Sequence, residues 1–225
     1  MRQHPWWTTT VALLVVSVIV LVYAGTRPSY DAYGWMGWGY QTLHGTLDLG
    51  GAPSWKPVPF LFTVPFALFG HYQLWLWMIA AVAIALAGCV FAGRIAYRLI
   101  GGAEPARRPA AVAGAVFAGL AVLGIQDYMH YILSAQSDPM LVTFCLAAID
   151  SHLCGRYRWA FALGVLTALG RPEVWPFLGL YSVWAWWTKP SMRWMIFIGL
   201  ALIPFMWFGI PWITCSFADA HSVAG

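Results

Sequence analysis

The sequence predicts an all-α, polytopic membrane protein, and three observations carry that prediction. The chain is 61% hydrophobic and only 9% charged, whereas a soluble domain carries about 25% charged residues to cover its water-facing surface. Its apolar residues fall in long runs separated by short polar stretches, the pattern of repeated membrane crossing. Finally, Lys and Arg cluster at alternate junctions between those runs, as the positive-inside rule requires. With a net charge of +4 over 225 residues, the placement of the cations is more informative than their sum, and no nucleic-acid partner is expected.

Residues 8 to 25, TTTVALLVVSVIVLVYAG, form the first apolar run. Val22-Tyr23-Ala24 ends in a small residue and would also suit a cleaved signal peptide. The preferred reading is a retained first span, with the Arg2 end cytoplasmic. Residues 26 to 72 then form an external loop that carries juxtamembrane helices. Within it, PVPFLFTVPFALFG holds three prolines in nine residues (Pro57, Pro59, Pro65) and falls short of the roughly 20 residues a span needs. It is expected to lie in the interface or to re-enter. Six further spans follow between residues 73 and 214: 73–99, 109–125, 139–154, 159–170, 174–188 and 194–214. That makes seven in all, in a single module over residues 1–225.

Charge bookkeeping supports this topology. Nine of the twelve Lys and Arg (2, 94, 98, 107, 108, 156, 158, 189, 193) fall inside, and three (27, 56, 171) fall outside. Counting residues 57–70 as a span would invert every later loop and place Arg94 to Arg108 outside. Six acids, Asp31, Asp48, Asp127, Asp138, Glu173 and Asp219, fall on the outer side. That face is therefore the candidate catalytic or metal-binding surface. The predicted location is a plasma membrane, with the N-terminus cytoplasmic and the candidate catalytic loop external. The chain stops at FADAHSVAG just after a span, an ending that a piece of a longer protein would also show.

The segment from Tyr30 to Gly70 draws most attention. It places Asp31 about six residues past the first span, with five aromatics in eleven residues and a lone cation before a proline, Lys56-Pro57. If residues 30 to 44 are helical, Asp31, Trp35, Trp38 and Thr42 share a face, and the helix would lie flat with its aromatics among the headgroups. A carboxylate there can act as general base to an acceptor hydroxyl or as a metal ligand; it can equally cap the helix. Lys56, beside Trp55, can hold a lipid phosphate as a point charge or simply snorkel to the headgroups. His44 and Asp48 flank the same loop as supporting candidates. Asp138, in Ser137-Asp138-Pro139, opens the fourth span and is read first as a cap with Pro at N1. Arg171 and Glu173 lie in GRPE between two short spans, where they can pair with each other or serve function. Tyr128, His130 and Tyr131 add polar and aromatic surface to the second external loop. The four cysteines (89, 145, 154, 215) show no CxxC or Cys/His spacing, so neither a disulfide framework nor a zinc site is expected.

Taken in order, these features resemble the GT-C class of integral-membrane glycosyltransferases, which includes protein O-mannosyltransferases, the lipid A aminoarabinose transferase and mycobacterial arabinosyl- and mannosyltransferases. The resemblance is carried by Asp31, Trp55-Lys56-Pro57-Val58-Pro59, Leu68-Phe69-Gly70, the run from Gly93-Arg94 to Arg98, Ser137-Asp138-Pro139, and the stretch from Leu163-Gly164 to Glu173. It covers roughly residues 10 to 213. It implies inverting transfer of a sugar from a polyprenyl-phosphate donor to a glycan, lipid or protein acceptor on the outer face. Asp31 would be catalytic, and Lys56 and Arg171 would bind the donor phosphate. Asp48, Asp138, Glu173, His44 and Trp55 would support them. No nucleotide cofactor is expected. Many members carry an acidic pair after the first helix, whereas Asp31 is followed by Ala32. A divalent metal, if used, would therefore draw on Asp31 with Asp48 or Asp138.

Two other classes were weighed. One is a non-catalytic or truncated relative that binds polyprenyl lipid or scaffolds an envelope assembly. The other is a transporter, which should show broken helices with polar residues near the bilayer midplane; the predicted spans hold few.

Overall fold

The computed structural model describes residues 6–25, 27–49 and 55–214. Arg2, Pro53, Ser54, Cys215, Asp219 and the rest of the C-terminal tail lie outside these described residues. Among the described residues the chain is helical throughout, with no strand. The helices are α1 (Trp6–Ala24), α2 (Tyr30–Leu43), α3 (Pro57–Ala67), α4 (Gln73–Leu99), α5 (Arg108–Leu123), α6 (Tyr128–Leu133), α7 (Asp138–Leu153), α8 (Tyr157–Gly170), α9 (Trp175–Thr188) and α10 (Arg193–Pro204). A π-turn at Phe205–Gly209 continues α10.

The termini of the helices follow local chemistry. Ser29 caps α2 by accepting from the Ala32 N–H. At the other end of α2, Gly45 (φ +67°) takes the left-handed position, with Thr46 N–H donating to Gln41 O and Gly45 N–H to Thr42 O. This is a Schellman closure, in which glycine avoids the Cβ penalty. The end of α6 makes the same pair of bonds but places Ala135 at φ +53°. An L-residue held there costs about 1–2 kcal/mol, so surrounding contacts must hold that turn.

Helix α4 lies at the centre. It packs against α1, α5 and α7, while α7 packs in turn on α8, and α9 and α10 lean on α8. The α2–α3 pair closes one end of this layer against α4 and α8. Small residues set the spacing. A Cβ on Gly88 would sit 2.7 Å from Thr143 Oγ1 on α7, and one on Gly93 would sit 2.9 Å from the Ala115 carbonyl on α5. Thr143 uses that closeness to donate to Ile84 O at 2.7 Å. Glycine at the contact with a hydroxyl bridging two backbones is how helices associate when no hydrophobic effect drives them together. Between α2 and α3 the same device operates: Gly39 faces the Thr63 carbonyl, where a Cβ would lie 2.5 Å away. Gln73 of α4 locks the pair by donating to both Met36 O and Thr63 O at 3.1 Å.

Three helical stretches are long and apolar enough to cross a membrane: Trp6–Ala24, Gly70–Leu99 and Pro190–Thr214. The outward faces agree with a lipid environment. Phe117, Leu120, Phe177, Leu180, Phe197, Ile198 and Trp212 are all more than half exposed, more apolar surface than a soluble monomer leaves open. The chain is therefore an all-α protein with the features of a membrane protein. The predicted seven spans are a finer matter. Helices α5 and α7 have 16 residues and α8 and α9 have 14, giving about 21–24 Å at 1.5 Å per residue. A hydrocarbon core of about 30 Å is longer than that. Helix α3 has 11 residues, too few to span, and buries Pro57, Val58, Pro59, Phe60, Thr63 and Ala67 within the protein. It is packed against neighbouring helices as well as short.

Candidate functional site

At the end of the bundle closed by α2 and α3, three segments far apart in sequence converge. Lys56 stands at the N-cap of α3, where Pro57 opens the helix. Ser137 and Asp138 begin α7, and Arg171 and Glu173 lie in the turn between α8 and α9. The Lys56 ammonium is 3.8 Å from Asp138 Oδ2 and donates to Ser137 Oγ at 3.4 Å. It lies 5.6 Å from the centroid of the Trp35 ring, a cation–π approach. Arg171 donates through both Nε and Nη2 to Asp138 Oδ1, the Nε bond at 2.9 Å. Glu173 is a looser neighbour, 3.9 Å from Arg171 Nη1 and largely exposed. The bonds to Asp138 push the Arg171 guanidinium further above its ordinary range, against the opposing effect of burial. Arg171 thus stays charged at any working pH, and deprotonation of the guanidinium would cost the pairing only above that range.

Two bland readings of these residues are thereby replaced. Asp138 does not cap α7: Ser137 holds the N-cap position and makes no side-chain capping bond, while the carboxylate turns to the two cations. Arg171 does not pair chiefly with Glu173: its Nε and Nη2 donate to Asp138, and only Nη1 approaches Glu173, at 3.9 Å.

Asp31 sits in the first turn of α2. The cap is Ser29, which frees the Asp31 carboxylate from that duty. Half-buried, it has no hydrogen bond or ion pair among the described residues. The N-terminus of α2 is fastened to the α6–α7 turn, since Ser29 N–H donates to Ser134 O at 2.9 Å. That turn leads directly into Ser137-Asp138. One turn along α2 from Asp31, Trp35 is fully buried and packs edge-on against Trp77 at 5.6 Å. Trp77 Nε1 has Ala135 O as acceptor at 3.2 Å; Trp35 Nε1 has none. The expected helical face of Asp31, Trp35, Trp38 and Thr42 exists, but Trp35 and Trp38 turn into the protein core and away from the headgroup layer. Tyr30, Tyr33 and Tyr40 are the exposed aromatics of this helix.

His44 and Asp48 are placed apart from the cluster, whereas Trp55 immediately precedes Lys56. His44 closes the far end of α2, its Nδ1 at 2.8 Å from Tyr40 O and its ring against Tyr40; thirteen residues of helix put it about 20 Å from Asp31. Asp48 is exposed beyond that end, with its N–H donating to Gln41 Oε1 at 3.3 Å. Trp55 ties the loop to the bundle, donating to Met206 O at 2.9 Å and packing between Trp38 and Phe60. Among the described residues, no three of His, Cys, Asp and Glu gather into a group able to hold a metal ion. Asp31, Asp48 and Asp138 do not form such a set.

Sequence reasoning missed a second cluster at the opposite end. Asp150, almost completely buried, accepts from Arg94 Nε and Nη2 at 3.2 and 3.1 Å, and its other oxygen lies 3.2 Å from Arg98 Nε. That second oxygen is ion-paired, but its alignment falls short of a hydrogen bond. Trp6 of α1 covers Arg94 at 4.6 Å. The arginines entered the sequence reading as markers of the inner side and as part of the resemblance, with no acid assigned to them. The missed signal was an acid inside an apolar helix, LAAIDSHL, which by default demands a partner. The contact also brings Arg94, Arg98 and Asp150 together at one end of the bundle.

In comparisons with known proteins, the chain matches no family model, no curated protein and no solved structure.

Proposed function

We propose that this chain is a membrane glycosyltransferase that moves a sugar from a polyprenyl-phosphate donor to an acceptor hydroxyl on the outer face of a plasma membrane. The single observation that supports this most is the meeting of Lys56 and Arg171 on Asp138, at the end of the bundle where α2 carries an Asp31 with no partner among the described residues. In this reading the seven hydrophobic segments all cross the membrane, with α3 re-entrant and the N-terminus inside. The short helices would be accommodated by a locally thinner bilayer.

The donor phosphate would displace Asp138 from the two cations. Asp31 would take the proton of the acceptor hydroxyl as that oxygen attacks the anomeric carbon from the face opposite the phosphate. The bond from that carbon to the phosphate oxygen breaks, configuration inverts, and the electron pair leaves with the lipid phosphate. Lys56 and Arg171 would stabilise the charge developing there as preorganised donors. The acceptor would be a glycan, a lipid or a protein hydroxyl.

The test is transfer from radiolabelled polyprenyl-phosphomannose or polyprenyl-phosphoarabinose in membranes carrying either wild type or Asp31→Asn. A positioned general base contributes about 10²- to 10⁴-fold, so the variant should lose nearly all turnover while keeping its helical content. Undiminished transfer would refute the assignment of Asp31. A second reading, a non-catalytic relative that binds polyprenyl lipid or scaffolds an envelope assembly, draws on one observation. Asp138 already engages both cations, as a purely structural clasp would.

A further inference from the structure

A pocket at the other end of the bundle, independent of the site above, carries three cations and no acid. It has a volume of about 350 Å³ and lies between the α7–α8 turn and the α9–α10 connection, bordered by Gly155, Arg156, Tyr157, Arg158, Trp159, Lys189, Ser191 and Met192. Such a volume falls within the range of small-ligand sites, about 300–1,000 Å³. Among the described residues, neither Arg156 nor Arg158 has an ion pair or a side-chain hydrogen bond. Lys189 is steadied over the Tyr157 ring at 4.2 Å and has no carboxylate partner. Asp150, which borders the neighbouring cavity on the other side of Arg156, is already engaged by Arg94 and Arg98. The first turn of α8 adds to the positive field: Arg156 holds its N-cap position without a side-chain capping bond, so the leading N–H groups of the helix face outward unsatisfied.

We infer that this pocket binds the phosphate headgroup of an anionic phospholipid. The choice of a lipid over a free anion comes from the surroundings. Trp159, Trp187 and Trp194 are all strongly exposed around the same end, and tryptophans so placed mark the headgroup level of a bilayer. A basic pocket between membrane helices at that depth is the usual seat of an acidic headgroup. Two cations and a hydroxyl (Ser191) surround the phosphate, while Lys189 is presented by the Tyr157 face.

The experiment is native mass spectrometry of the full-length, delipidated protein titrated with phosphatidylglycerol, with phosphatidylcholine as the neutral comparison. Wild type retains phosphatidylglycerol in preference to phosphatidylcholine. Each charge removed weakens that binding by about fivefold, so Arg156→Gln/Arg158→Gln/Lys189→Gln falls by about a hundredfold. Arg107→Gln/Arg108→Gln, at the same end but outside the pocket, stays within twofold of wild type. Equal losses in both variants would reduce the effect to diffuse charge and overturn the pocket. Displacement of the lipid by millimolar inorganic phosphate would overturn the lipid assignment. Should the triple variant fold poorly, Arg158→Gln alone decides, because that exposed side chain supports nothing else in the fold. Its binding must drop fivefold for the inference to stand.

Discussion

Replacing Asp138 by Asn separates a ligand site from a structural clasp, because the two readings predict opposite signs. In the free protein Asp138 occupies both candidate phosphate-binding cations, at 3.8 Å from Lys56 and 2.9 Å from Arg171 Nε. An incoming phosphate must therefore compete with it. Two unit charges 4 Å apart interact by about 1 kcal/mol in water and about 4 kcal/mol near a protein surface. Asp138 and Arg171 are 29% and 46% exposed, which favours the lower figure. Losing the competing charge should tighten binding of a polyprenyl phosphate by about 1 kcal/mol, roughly fivefold. Stability should fall at the same time, by about 1–2 kcal/mol, because the poorly exposed Lys56 loses its counter-charge. The assay is a lipid-binding titration of purified wild type and Asp138→Asn in a neutral detergent, with a thermal melt run in parallel. Tighter binding with a lower midpoint supports an anion site. A lower midpoint with binding unchanged or weakened would refute the reasoning and leave only the clasp.

Three further outcomes follow from the geometry. Asp150→Asn strips the counter-charge from Arg94 and Arg98; breaking a buried pair costs about 3–5 kcal/mol, reduced here to about 1–3 kcal/mol because both arginines reach water. Its thermal midpoint should drop by about 3–10 °C, and an unchanged midpoint would show that the cluster holds nothing together. Gly39→Val drives a side chain into the Thr63 carbonyl, 2.5 Å from the position of its Cβ. Backbone cannot yield cheaply, so about 1–3 kcal/mol should be lost and measured by the same melt. Cysteines placed at Glu104 and at Glu173, in a background without native cysteines, should label from opposite sides of sealed vesicles. Labelling of both from one side would eliminate the seven-span topology.

Much of the architecture was legible because membrane segments announce themselves locally. The run from Gln73 to Leu99 reads as one helix from apolarity alone and is one. Tyr30 to Leu43 was recoverable from aromatic spacing, and the triple-proline stretch was recognisable as too short to span. Capping was less legible. Both Asp31 and Asp138 sit where an acid can cap, but Ser29 holds the better reach at α2, and Asp138 finds two cations instead. The meeting of Lys56, Asp138 and Arg171 could not be read from sequence, since no local pattern says that segments 82 and 33 residues apart will touch. The direction of Trp35 was equally hidden. A tryptophan beside a membrane serves lipid or core equally well, and only the packing of α2 on α3 and α4 decides for the core.

The measurement that tests the central claim most directly is binding of a polyprenyl phosphate to the purified full-length chain, comparing wild type with Lys56→Ala and Asp31→Asn. A charge-assisted hydrogen bond is worth about 1.5–3 kcal/mol, so Lys56→Ala should weaken binding by at least about tenfold. Asp31→Asn, which removes a base and no phosphate ligand, should bind as wild type does. If the polyprenyl phosphate binds no more tightly than bulk phospholipid, or if Lys56→Ala leaves its affinity untouched, the Lys56–Asp138–Arg171 cluster is a brace between helices and the donor-site account is contradicted.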